Sequence, residues 1–126
     1  MFEHIAMHQV FVYGTLKRHC CNHHYLKGQR FLGTASTLPL YAMYDLGGYP
    51  GIVQDSVQPM SIEGEVWSVD DACLARLDQL EDLAAGEYER DYIPLQPPWA
   101  GEKVWGYLYR WPIQGRSPVG CLWQES

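Results

Sequence analysis

The sequence predicts an α+β fold: a small mixed, twisted, barrel-like β-sheet with one main helix packed against it. Three observations predict it. About six short stretches read as strands, either apolar throughout or alternating apolar and polar, and glycine or proline punctuates the turns between them. Only one stretch, DDACLARLDQLED (70–82), places its apolar residues at helical spacing. A parallel doubly wound sheet would need more crossover helices than that.

The elements follow in order. Residues 8–13 read as a strand, apolar from Val10 to Tyr13. A polar loop runs from Gly14 to about His24, with one helical turn expected near Tyr25. RFLGTASTL (30–38) and LYAMYDL (40–46) read as strands joined at Pro39, and GGYPG (47–51) reads as a turn. IEGEVWSV (62–69) alternates around Ile62, Val66 and Val69. In the helix, Asp70 suits the N-cap, because its carboxylate can accept from the free amides of the first turn. The predicted buried stripe is Cys73, Leu74, Leu77, Leu80 and Ala84. YERDYIPL (88–95) and KVWGYLYRW (103–111) are two more strands, with PPWAGE (97–102) as the hairpin. In the second, Val104, Gly106, Leu108 and Arg110 share one face and Trp105, Tyr107 and Tyr109 the other. The tail from Pro112 reads as irregular.

Composition narrows the function. With 126 residues and 47% apolar content, the chain can fill one core, and nine Tyr and five Trp argue against disorder. The formal net charge of −6 excludes a general nucleic-acid binder, which needs a basic face. Lys17–Arg18 is the only adjacent pair of cations, so no polybasic membrane patch exists. No apolar run is long enough to span a bilayer. The N-terminal MFEHIAMHQV has no apolar leader core, so the expected location is the cytoplasm. Four cysteines, two of them adjacent, make no secreted disulfide framework.

Several chemistries lack their motifs. GxSxG, GxGxxG, HExxH and a Gly-Lys-Ser/Thr phosphate loop are all missing. His19-Cys20-Cys21-Asn22-His23-His24 concentrates metal-ligand residue types, but its spacing matches no zinc pattern and no second cluster completes it. A polar loop is the plainer reading.

Glu81 carries more information. At about 100° per residue, with Cys73 at zero, Glu81 falls near 80°, beside the buried stripe, while Asp82 points outward near 180°. Asp78 falls near 140° at the stripe's edge, where a surface or capping hydrogen bond is expected. A carboxylate facing the core is costly unless paired or neutralised. The negative end of the helix dipole adds to that cost. Both effects raise its pKa, and a raised carboxylate pKa suits a general base near neutral pH. Pairing with Arg90 or Arg76, or fraying of the helix before residue 81, would remove the effect. The other candidate is VFVYGTLKR (10–18). Here Gly14 permits close approach of a ligand to the backbone, and the amides of Gly14, Thr15 and Leu16 are candidates to bind an anion. An ordinary strand-to-loop turn is the alternative.

Taken together, VFVYGTLKR, the YPG of GGYPG, EGEVWSVD, LDQLE and EYERDYI resemble the γ-glutamyl cyclotransferase-like family, which includes γ-glutamylamine cyclotransferases. The resemblance covers roughly residues 10–110. It implies a small mixed β-barrel with flanking helices and a central cavity. It implies that Tyr13, Gly14, Thr15 and Leu16 form the substrate-binding loop and that Glu81 is the acid–base residue. Tyr88 matches an aromatic that follows the catalytic turn, Tyr49 and Tyr107 are candidate cavity walls, and Arg90 either supports the fold or holds Glu81. Asp82 stands where the family often has a glycine. The implied chemistry is cyclisation of a small γ-glutamyl amide or peptide to 5-oxoproline, without metal or cofactor; the resemblance leaves the oligomeric state open, with a monomer as the default. A non-catalytic binding protein of the same fold, and removal of a γ-glutamyl group from a biosynthetic intermediate, are the alternatives.

Overall fold

Asp70 does cap the helix, and much of the rest follows the pattern of apolar residues. The computed structural model describes residues 6–125; residues 1–5, on which the leader reading partly rests, and residue 126 lie outside them. Eight strands form one sheet: β1 (Met7–Val12), β2 (Arg30–Ser36), β3 (Tyr41–Asp45), β4 (Pro50–Gln54), β5 (Glu63–Asp70), β6 (Tyr88–Tyr92), β7 (Trp105–Tyr109) and β8 (Ser117–Val119). Their order is β2-β5-β1-β7-β4-β3-β8, with β6 also paired to β7. Most pairs are antiparallel, but β7 runs parallel to both β1 and β4. The sheet is therefore mixed, as predicted. It curls, because the main chain after β8 reaches β5: the Glu63 amide donates to the Cys121 carbonyl at 2.8 Å.

Alternation sends side chains to two cores. Val10 and Val12 join Trp67, Val69, Tyr107 and Tyr109 on the face that receives the helix. Phe11 and Tyr13 join Met43, Ile52, Val66 and Leu108 on the other. The two faces expected for the 103–111 strand are those observed. Gly106 is needed there, since a Cβ would stand 2.3 Å from Ile93 Cγ1. The second half of β1, Val10–Val12, is buried on both faces, which explains the apolar run that starts at Val10.

The helix α1 (Asp71–Leu80) starts where Asp70 Oδ1 accepts from the Cys73 amide at 2.8 Å. Cys73, Leu74 and Leu77 are buried and Leu80 partly so. The helix ends two residues before the predicted limit. Asp82 turns the chain back with φ +55°, so Ala84 is exposed and Leu83 packs against the core in its place. Besides α1, the described residues contain one 3-10 turn, His23–Leu26, at the turn expected near Tyr25.

Two strands escaped the sequence reading. Pro50 and Gly51 open β4 rather than closing a turn; the turn itself is Gly47–Gly48, where Asp45 Oδ1 accepts from both amides at 2.9 and 3.0 Å. The tail is ordered rather than irregular: β8 pairs with β3, and Trp123 is buried in the second core.

Candidate active site

The site lies where the sheet forks. Strand β7 gives one edge to β6 over residues 105–109. Its other edge serves β1 at Trp105 and β4 at Leu108. Between those two contacts β1 and β4 diverge, and the ladder would leave main-chain groups unpaired. The Tyr13 hydroxyl fills the gap: it donates to the Tyr107 carbonyl at 2.7 Å and accepts from the Ile52 amide at 3.2 Å. Tyr13 is thus a splint across the fork, and burial pushes its phenol well above the ordinary range.

Gly14 follows, and the need for glycine differs from the one expected. A Cβ there would stand 2.6 Å from the Pro50 Cγ. The ring of Pro50, not a ligand, occupies that space, and glycine lets β1 and β4 close behind the loop. The loop itself is held on several sides. Asn22 donates from its amide to the Thr15 carbonyl and from its side chain to the Thr15 hydroxyl, each at 2.9 Å. Glu65 Oε1 accepts from the Arg18 amide and Oε2 from Arg18 Nε, both at 3.0 Å. Buried Lys17 donates from Nζ to the Trp123 carbonyl at 2.6 Å. Among the described residues, the amides of Gly14, Thr15 and Leu16 meet no acceptor.

Glu81 is the C-cap of α1, its own amide donating to the Leu77 carbonyl at 2.9 Å. The helix does not fray before it. Neither arginine considered as its partner takes that role. Arg90 pairs with Asp78, donating to its two carboxylate oxygens at 2.9 and 3.2 Å, and Arg76 is exposed. Asp78 is therefore no surface or capping group: it holds β6 to α1 and also accepts from the Tyr107 hydroxyl at 2.8 Å. Glu81 has no ion-pair or hydrogen-bond partner for its carboxylate among the described residues. Burial, and then the neighbouring Glu87 carboxylate, push it up to about 8.

One hollow collects the residues singled out from the sequence. Its walls are the 13–16 loop, Tyr49 with Pro50, Glu81, Tyr88 and Tyr107. Its volume of about 30 Å³ has room for a water or two. It opens into a groove of about 310 Å³ that shares Thr15, Tyr49, Glu81 and Tyr88 and adds Glu87. That groove is large enough for a small ligand. The phenols of Tyr88 and Tyr107 are spent on the protein: Tyr88 donates to the Pro50 carbonyl at 2.7 Å, and Tyr107 to Asp78. Burial is the main cause that raises both far above the usual tyrosine range. Tyr49 stands at the rim, 38% exposed, and donates to Glu87 Oε2 at 2.7 Å. That bond, and then burial, push its phenol up to about 12.

Sequence reasoning missed Glu87, Glu65 and the Asp78–Arg90 pair. Glu87 lies in a glycine-containing turn without periodicity, and nothing local marks it. A wider recess of about 620 Å³ lies beside the groove at the tail, but its carboxylates already serve main-chain amides: Asp45 those of Gly47 and Gly48, Glu125 that of Cys21. Among the described residues, no group of three or more His, Cys, Asp or Glu side chains is placed to hold a metal ion. In the 19–24 cluster, His23 instead shares a 3.0 Å hydrogen bond with the Leu16 carbonyl and packs on Trp67. No helix among the described residues is long and apolar enough to cross a membrane.

Comparison with known proteins agrees with this architecture. A family model described as "Gamma-glutamyl cyclotransferase, AIG2-like" matches residues 10–124. A Vibrio cholerae protein, provisionally named a gamma-glutamylcyclotransferase, is 47% identical over 103 residues, which is 82% of this chain and 83% of that protein. The gamma-glutamylcyclotransferase family protein YtfP of Escherichia coli K12 is 37% identical over 107 residues, 85% of this chain and 87% of that one. The solution structure of the E. coli protein superposes with a TM-score of 0.67 at 35% identity, covering 91% of this chain and 94% of that one. The crystal structure of an AIG2-like protein from Mus musculus gives a TM-score of 0.66 at 28% identity, covering 83% and 77%. The chain belongs to the gamma-glutamyl cyclotransferase, AIG2-like family.

Proposed function

We propose that the protein cyclises γ-glutamyl amides or peptides, releasing 5-oxoproline and the amine. The observation that carries this reading is an unpaired carboxylate, Glu81, sharing one hollow with the free amides of residues 14–16. The substrate supplies its own nucleophile, so the protein needs neither a reactive Ser or Cys nor a cofactor. The α-amine attacks the γ-carbonyl and closes a five-membered ring. The bond from that carbonyl to the leaving nitrogen then breaks.

Two protons leave the α-ammonium, and both end on the leaving nitrogen. A carboxylate pushed up to about 8 is better matched to carry them than an ordinary one, since it lies nearer the pKa of an amine. The loop amides hold the anionic part of the substrate, either its α-carboxylate or the oxyanion formed during attack. The groove takes the folded glutamyl chain and limits it to conformations near attack geometry. Incubation with a panel of γ-glutamyl amines and peptides, measuring 5-oxoproline, tests the reading. Formation of 5-oxoproline that Glu81→Gln abolishes supports it. Binding without cyclisation would make the protein a γ-glutamyl receptor instead.

A further inference from the structure

We propose that Glu87, oriented by the Tyr49 hydroxyl, binds the α-ammonium group of the γ-glutamyl substrate. The inference rests on the cyclisation reading and deepens it. Glu81 and Glu87 line one groove, and no cation is paired with either among the described residues. The nearby cations are occupied: Arg90 by Asp78, Arg110 by Glu89, and Arg116 by the Leu46 carbonyl. Glu81 and Glu87 repel each other whenever both are ionised, and a cationic ligand between them relieves that repulsion.

The roles of the two carboxylates differ in this scheme. Glu81 exchanges a proton during the reaction, so it cannot be the lasting counter-ion of the ammonium. Glu87 can. Tyr49 fixes its Oε2 at 2.7 Å, and Oε1 has no partner among the described residues. Thr15 lines the same groove. The head of an amino acid carries a carboxylate and an ammonium on one carbon, which matches free amides at 14–16 and a free carboxylate oxygen at Glu87. The Tyr49 hydroxyl keeps that oxygen aimed while the groove is empty, which lowers the cost of ordering it when substrate arrives.

The test compares two compounds on the full chain. One is γ-glutamylmethylamide. The other is glutaric acid monomethylamide, identical but without the α-amine and therefore an inhibitor only. Glu87→Gln should raise KM for the first about ten- to a hundredfold, with kcat changed far less. The inhibition constant of the second should stay within about twofold of the wild-type value, which also shows that the groove is intact. Tyr49→Phe should give the same pattern, smaller, at about two- to fivefold in KM. Equal weakening of both compounds, or an unchanged KM, overturns the assignment of Glu87 while leaving the cyclisation reading in place. A wild-type protein that neither binds nor cyclises any γ-glutamyl compound overturns both.

Discussion

Glu65 and Glu81 are both enclosed glutamates, and the protein treats them in opposite ways. Glu65 sits in β5, 7% exposed, and accepts from the Arg18 amide, the Arg18 guanidinium and the Trp67 indole. Burial alone would raise its pKa, but these donors together outweigh burial and hold it below its ordinary value. Glu81 is half-buried as a whole residue, but its carboxylate lies deep and meets no donor, and burial pushes it up to about 8. Depth without donors raises the Glu81 carboxylate, and donors that outweigh burial lower the Glu65 carboxylate.

The largest effect tests the member proposed to react. Glu81→Gln keeps the shape of the side chain and removes its ability to exchange a proton. Turnover should fall by about 10²–10⁴, measured as 5-oxoproline formation. Stability should rise, not fall. Folding lifts the Glu81 pKa from its ordinary 4.5 to about 8, so between those values the folded chain holds a proton that the unfolded chain has released. Stability from this group is therefore lost as pH rises from about 4.5 to about 8, by at most about 1.4 kcal/mol per pH unit. Glu81→Gln should flatten that slope, so its gain in Tm is greater at pH 8 than at pH 5. In the wild type, kcat/KM should rise through an apparent pKa near 8. A variant that loses activity together with Tm at pH 8 would turn Glu81 into a second Glu65.

The structural member should behave in reverse. Glu65→Ala leaves the Arg18 amide and the Trp67 indole without their acceptor and should cost about 2–3 kcal/mol in denaturant unfolding. The wild-type contribution is present above the ordinary carboxylate pKa and is lost as pH falls through the lowered folded value. The deficit of the variant should thus shrink in acid, whereas the gain of Glu81→Gln shrinks in acid from the opposite sign. Activity should drop with the ordering of the 14–18 loop, which a ligand mimicking the glutamyl head would partly restore.

How much of this contrast could be read from the chain depends on whether the cause is local. Helix periodicity placed Glu81 beside the buried stripe, and the same periodicity placed Asp70 at the cap; both depend on neighbours within a few turns. Glu65 was hidden because its donors come from residues 18 and 67, and only the pairing of β5 with β1 brings residue 18 to it. The same holds for β4. Pro50-Gly51 reads as a turn locally, but these residues are extended because Gly51 must fit against Tyr109, where a Cβ would stand 2.8 Å from the tyrosine Cβ. Gly14 was recognised as special for a reason the fold replaces, since its neighbour is Pro50. Strand β8 and the buried Trp123 owe their order to β3 and to Lys17, far away in sequence. Local grammar exposed one acid and the loop, while long-range contacts decided what each of them touches.

The fork offers a smaller test of the same contrast between held and free groups. Tyr13→Phe removes one hydroxyl that serves the Tyr107 carbonyl and the Ile52 amide. The cost should be about 1–3 kcal/mol, since both main-chain groups are then left unpaired in the interior. Because Tyr13 acts as a splint, KM for a γ-glutamyl amide should change less than stability does. A large rise in KM with unchanged stability would instead make its hydroxyl a ligand contact.

The smallest expected effect lies beside Glu81. Asp82 has φ +55°, a left-handed conformation that aspartate tolerates and glycine adopts freely. The turn it makes ends α1 and leaves Glu81 as the last residue before the chain reverses. Asp82→Gly relieves that strain but adds freedom to the unfolded chain, so the net gain should be no more than about 0.5–1 kcal/mol in denaturant unfolding. The exposed Asp82 carboxylate is not among the groups that raise the Glu81 pKa. The apparent pKa of kcat/KM should therefore stay near 8 in Asp82→Gly, whereas Glu87→Gln should lower it by removing the like charge. A shift in Asp82→Gly as large as that in Glu87→Gln would place the control of Glu81 in the turn rather than in the groove.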